Sequence, residues 1–299
     1  MMKKILRTAG YILLLVFAYM AFQVCFTFIS MTAGVVFAYL KGVVSIDSLA
    51  QLGNYEVLLS SPETEGIYTW AMSAGLFLSA LAMLLFLYII KGYRIKLSLF
   101  NSMPSKSLLY STLLVFSSMF ALNIFVQWFG LEDKLSGELE GIAHNVLGVI
   151  TISLIAPLLE EVLFRGAIQG YMMRRYSPWV AIVSAALVFG IFHFNPVQTL
   201  YATLIGIVFG WIYYRTGSLL SVIVGHVLNN SIASFALLSF PESEALPMPA
   251  DMMPASVQVV SEVFAFVFFV LLSINFAVKL HRIQPPVSLP WRDVADAVQ

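Results

Sequence analysis

From Thr8 to Leu40 the chain runs for 33 residues without an Asp, Glu, Lys or Arg, and from Tyr176 to Tyr214 it does so again for 39. Runs of this length leave few folds open. Spanning a ~30 Å hydrocarbon core takes about 20 predominantly apolar residues of helix. Inside a bilayer the backbone must satisfy its own polar groups, and an unbroken apolar run does so as a helix. With 60% hydrophobic and 11% charged residues, the chain lies far from the ~25% charged composition of soluble domains. An all-α, polytopic integral membrane protein is the expected fold class, with the lipid bilayer as its first partner. The net charge is zero, so no bulk field argues for nucleic acid. Cys25 is the only cysteine, which excludes a disulfide framework and a cysteine-based metal site.

Eight spans are expected, at 10–38, 67–90, 107–130, 142–174, 178–194, 198–214, 218–240 and 257–278. The positively charged start (Lys3, Lys4, Arg7) resembles a signal peptide. The apolar run behind it exceeds the ~7–15 residues of a signal h-region, so a retained first span is expected. Basic residues orient the eight. With the N-terminus inside, Lys3, Lys4, Arg7, Lys91, Arg94, Lys96, Lys106, Arg174, Arg175, Arg215, Lys279, Arg282 and Arg292 fall on the cytoplasmic side, and Lys41 and Lys134 outside. Both termini are then cytoplasmic, in a bacterial inner (plasma) membrane. The expected organisation is three spans over 1–140, a core over 141–240, and a last span with a cytoplasmic tail over 241–299.

Against this background, Glu160 and Glu161 stand out. A carboxylate near the centre of a membrane helix costs ~2.5–3.5 kcal/mol on insertion scales, and a neighbouring like charge adds repulsion. His193 precedes the Asn195-Pro196 break, which is expected to divide two short helices. His226 and Asn230 are four residues apart and share a helix face. At 1.5 Å rise per residue, Glu160 lies ~21 Å, His193 ~22 Å, and His226 and Asn230 ~12 and ~18 Å from the same boundary. Three spans thus bring their costly side chains to similar depth, and such groups face the bundle interior and pair with one another. Each has a plainer reading alone. A single buried His is more often a packing residue, Asn230 could be interhelical glue, and Glu161 with Arg165 has the spacing of a helix salt bridge. Gly206 and Gly210 form a GxxxG pattern, read as close helix packing.

Carboxylates and imidazoles without a paired serine or cysteine nucleophile fit activation of water. A Glu and a His can take its proton, while His and Asn N–H groups can stabilise an oxyanion. The same Glu and two His could instead hold Zn²⁺ or another divalent metal, with Glu160, His193 and His226 as the ligands if a metal is bound. A metal-free site is the other alternative.

Glu160-Glu161-x-x-x-Arg165, Phe189-x-x-x-His193 and His226-x-x-x-Asn230, in this order on separate spans, resemble the three-motif signature of the CPBP family. That family comprises the type II CAAX prenyl endopeptidases and the bacterial Abi, bacteriocin-processing and immunity proteins. The resemblance covers about 142–240 and implies an intramembrane endopeptidase, often labelled a metalloprotease, with its catalytic helix bundle in the second half of the chain. By motif position, Glu160 and His193 activate water and His226 and Asn230 face the oxyanion. Glu161 supports the site with Arg165 as its partner. The implied substrate is a peptide or membrane protein. Two non-proteolytic alternatives are a membrane immunity scaffold and a proton-linked transporter, since buried Glu and His also build proton relays.

Overall fold

A computed structural model describes residues 2–45, 62–90, 103–133, 141–239 and 254–285. The basic residues Lys91, Arg94, Lys96, Lys134 and Arg292, and the tail from Pro286, lie outside the described residues. The described residues form helices: α1 Met2–Leu40, α2 Pro62–Ile89, α3 Ser105–Gln127, α4 Val146–Met173, α5 Pro178–Ile191, α6 Pro196–Thr216, α7 Leu219–Ser239 and α8 Ala255–Ile283.

Seven of these helices are long and apolar enough to cross a membrane. The exception corrects the expectation of eight full spans. α5 has 14 residues, a rise of ~21 Å, short of a ~30 Å hydrocarbon core. Its end is set locally. Phe194 adopts φ 52°, a left-handed conformation disfavoured for a residue with a Cβ, and Pro196 cannot continue a preceding helix. Asn195 then caps α6, its Oδ1 accepting from Val197 N–H at 3.1 Å. The second helix after the break is not short: α6 has 21 residues. It closes at Gly217 (φ 64°), whose N–H donates to Tyr213 O at 2.8 Å. Only Gly217 and Ser218 separate α6 from α7, so those two helices leave the turn as neighbours.

α4 occupies the middle. Every residue from Glu161 to Gln169 is buried, in a core built with Phe189 of α5, Phe209 and Tyr213 of α6, and Val222 of α7. α1 packs along α2, and α8 along α3. These two helices are peripheral: α8 has one buried residue, Leu280, and the long apolar faces of both remain outward. The end of α8 is fixed by Arg215, whose Nη2 donates to His281 O at 2.7 Å and to Gln284 O.

Candidate active site

Two stretches of α4, Thr151–Ile155 and Glu161–Gln169, are wound as π-helix, a form with i→i+5 hydrogen bonds that recurs at functional sites. In the first stretch, Ala156 N–H reaches back to Thr151 O. The next carbonyl, Ile152 O, would in this register take the N–H of residue 157. That residue is Pro157, which has none. The side chain of Asn230 fills the gap, Nδ2 donating to Ile152 O at 3.0 Å. Asn230 is therefore tied to α4 by a carbonyl that the proline leaves over. One of its two amide hydrogens remains for other work.

The two glutamates part company at the start of the second π-helical stretch. Glu161 is 0% exposed, and its Oε1 accepts from Arg165 Nη1 at 2.8 Å and from His226 Nδ1 at 2.7 Å. Arg165 also donates from Nη2 to Gly206 O at 3.2 Å, and its guanidinium lies 4.4 Å from the Phe189 ring centroid and 5.1 Å from that of Phe209. Four residues on, Gln169 Nε2 donates to Gly210 O at 2.9 Å. The spacing Arg165, Gln169 on α4 thus matches Gly206, Gly210 on α6. A Cβ on Gly206 would stand 3.1 Å from Arg165 Nη2, and one on Gly210 2.8 Å from Gln169 Oε1. The glycines leave room for α4 side chains to reach α6 carbonyls, beyond the close packing expected of GxxxG.

Glu160 faces the other way, with its side chain 14% exposed. It borders a cavity of about 320 Å³ that is also lined by His193, His226 and Asn230. His226 connects the two layers. Its Nδ1–H is committed to Glu161, which leaves Nε2 toward Glu160 Oε2 at 3.6 Å, too long for a direct hydrogen bond and suited to a shared water. His193 Nδ1 lies 2.8 Å from Phe189 O. A carbonyl only accepts, so Nδ1 carries the hydrogen and the Nε2 lone pair is available, the tautomer logic of a general base.

Of the residues singled out in the sequence, Glu160, His193, His226 and Asn230 meet at this cavity, while Glu161 and Arg165 lie behind it. Among the described residues no group of three or more His, Cys, Asp or Glu side chains is placed to hold a metal ion. Glu160, His193 and His226 are the residues that would hold a divalent metal were one bound, and the roles proposed below are those of the side chains themselves. The sequence reading missed Tyr19 and Gln23 of α1, Gln198 and Tyr201 of α6, and Asn229 of α7, all at the cavity wall. Gln23, a lone amide in the 33-residue uncharged run, and Asn229, beside Asn230, carried a signal; Tyr19 did not. Ser153 is bonded to Ser234 at 3.0 Å. Trp128 Nε1–H donates to Glu262 at 3.2 Å.

Residues 142–232 match the family model described as Type II CAAX prenyl endopeptidase Rce1-like. The three motifs all fall inside that segment. Over 120 residues, 39% of this chain, the sequence is 28% identical to the "Putative membrane peptidase YdiL" of Bacillus subtilis (strain 168). The matched part spans about half (49%) of that curated relative. No solved structure matches the chain.

Proposed function

We propose that this chain, whose residues 142–232 match the Rce1-like type II CAAX prenyl endopeptidase model, hydrolyses peptide bonds within the membrane. The observation that carries the reading is the common cavity: Glu160 from α4, His193 from the end of α5, and His226 and Asn230 from α7 line one space of about 320 Å³. The catalytic core is 141–240, with α1 and α2 completing its wall. The substrate is a peptide or membrane-protein segment, and both termini face the cytoplasm of a bacterial cell.

Each role follows from an atom left available. Glu160 takes a proton from water held against His193 Nε2, and the water oxygen bonds to the scissile carbonyl carbon. The developing oxyanion is met by the remaining Asn230 N–H. His226 Nε2, 3.6 Å from Glu160, receives the proton from Glu160 and becomes a second donor, its positive charge balanced by Glu161 at Nδ1. Collapse of the tetrahedral species breaks the C–N bond, and the leaving amine takes that proton. Products are a carboxylate and an amine, and each group returns to its starting state.

The test uses purified protein in nanodiscs, a mixed peptide library, and mass spectrometry of the products. Glu160→Gln and His193→Ala are each expected to lower cleavage by about 10²–10⁴-fold, the usual worth of general base catalysis. Wild-type rates in either variant would overturn the assignment.

A further inference from the structure

α1 meets the core along one stripe. Thr8, Leu15 and Tyr19 are buried, and together with Lys4 and Tyr11 they recur every three or four positions, the spacing of one helix face. The stripe ends at the catalytic cavity, where Tyr19 stacks on Phe192 at 4.8 Å and lines the wall beside Glu160. Its other end, Lys4, is ~22 Å away along the helix and meets the turn between α4 and α5. There Tyr11 stacks on Tyr171 with ring centroids 4.2 Å apart, and the Tyr176 hydroxyl donates to Thr8 Oγ1 at 3.3 Å. Lys4 Nζ donates to Arg175 O and lies 4.7 Å from the Tyr176 ring centroid.

This second end gathers cations. The guanidinium groups of Arg175 and Arg174 lie 3.7 and 5.9 Å from the centroid of one ring, Tyr171. Arg7 follows Lys4 by three residues and so shares its face of α1. Arg175 Nη1 also donates to Tyr171 O at 3.2 Å, and a helix dipole favours cations at the C-terminal end. That accounts for the two arginines after α4, but not for Lys4 and Arg7 being brought against them. No carboxylate answers the four charges from the described elements that meet here. The chain has no Asp or Glu before Asp47 or between Glu161 and Glu242, and α2 has none beyond Glu65. Like charges held this close repel one another, and an anion set among them reverses the sign of that interaction.

We infer that the phosphate of an anionic phospholipid binds among Lys4, Arg7, Arg174 and Arg175 and clamps α1 to the α4–α5 turn. Guanidinium forks match phosphate oxygens in geometry and charge, and basic clusters of this size beside a membrane helix recognise acidic headgroups. The place favours a lipid over a soluble anion. The cations border an uncharged run that starts at Thr8, and tyrosines among them mark the level of the headgroups. The clamp holds one end of the stripe whose other end is Tyr19, so the headgroup fixes a wall of the catalytic cavity from a distance. The inference goes beyond the endopeptidase reading and does not depend on it.

In the experiment the full chain is reconstituted in nanodiscs of phosphatidylcholine with or without phosphatidylglycerol, released into mild detergent, and its retained lipid identified by native mass spectrometry. Phosphatidylglycerol is expected to be retained over phosphatidylcholine by about tenfold or more, since each basic residue near an acidic headgroup contributes about fivefold. Arg174→Gln/Arg175→Gln is expected to abolish the preference. Lys4→Gln/Arg7→Gln, made at exposed side chains, carries the same expectation should the arginine variant not fold. Lys279→Gln/Arg282→Gln removes the same charge from the end of α8 and is expected to leave the preference intact. Equal retention of the two lipids by the wild-type protein would overturn the inference. So would equal losses in the α4 and α8 variants, which would mark a general surface field. Displacement of the lipid by millimolar inorganic phosphate would overturn it in favour of a soluble anion. Hydrogen exchange over residues 2–12 reads the clamp separately. Slower exchange with phosphatidylglycerol in wild type, but not in Arg174→Gln/Arg175→Gln, supports it; exchange indifferent to the lipid sinks it. Neither readout uses cleavage, so failure here leaves the roles of Glu160 and His193 untouched, and a chain that cleaves nothing in any lipid leaves the clamp standing.

Discussion

Glu160 and Glu161 are adjacent in sequence and opposite in circumstance. Glu161 is fully buried, holds Arg165 and His226 through one oxygen, and sits in a layer finished by Gln169, Gly206 and Gly210. Glu160 borders open space beside His193 and Asn230 and makes no contact with His226 shorter than 3.6 Å. The difference teaches how a membrane helix carries two carboxylates at once. One is neutralised by a buried cation, and the cost of desolvating that pair is offset only while both partners and their hydrogen bonds are kept. The other keeps its acceptor atoms uncommitted, as a group that must take a proton requires. The first layer is frame and the second is tool, with His226 spanning them.

The sharpest way to break this division is Glu161→Gln. It preserves shape and leaves Arg165 as an uncompensated buried charge. A loss of about 3–5 kcal/mol in stability is expected, read as unfolding in mixed micelles. A variant as stable as wild type would place Glu161 outside the frame. Next comes Gly210→Val. The new side chain meets Gln169 Oε1 where even a Cβ would be 2.8 Å away. Overpacking of this kind costs about 1–3 kcal/mol, and the same melt measures it. Asn230→Ala should cost about 1–3 kcal/mol, because Ile152 O loses its partner. In a Pro157→Ala background the backbone regains an N–H in that region, so the same substitution should cost less. The double-mutant cycle reads the coupling directly, and strict additivity would remove the proline from the explanation. The smallest effect belongs to Ser153→Ala, which deletes a hydrogen bond to Ser234 of α7, four residues beyond Asn230 at the cavity wall. A change of about 1 kcal/mol or less in stability is expected, with cleavage unaltered.

Much of this arrangement was legible before any coordinates. Long uncharged runs can only be helices in a bilayer, and the cost of polar groups there made Glu160, Glu161, His193, His226 and Asn230 conspicuous. The depth count put the costly side chains of three spans at a similar level, and those side chains do line one cavity, although the π-helical winding of Glu161–Gln169 departs from the uniform rise the count assumed. What escaped depended on winding and on lateral neighbours. The π-helical register of α4 decides that Ile152 O meets a proline, and nothing in the string Thr151-Ile152-Ser153-Leu154-Ile155 announces that register. Tyr19 reaches the cavity because α1 packs beside α2 and the catalytic bundle, and a tyrosine in an apolar run looks like any other. Gln169 could have been noticed, being an amide four residues after Arg165, but its partner is a backbone carbonyl of α6 exposed by the absence of a side chain. The short α5 was overcounted because its apolar run continues through Phe192 and Phe194, while the chain turns at the left-handed Phe194.

The central claim is that adjacent glutamates have separate jobs, one chemical and one structural. Its most direct test measures cleavage and unfolding together for Glu160→Gln. The account expects cleavage of the peptide library to fall by about 10²-fold or more while the unfolding midpoint stays at the wild-type value. Cleavage at the wild-type rate, or a loss of stability as large as that of Glu161→Gln, would contradict it.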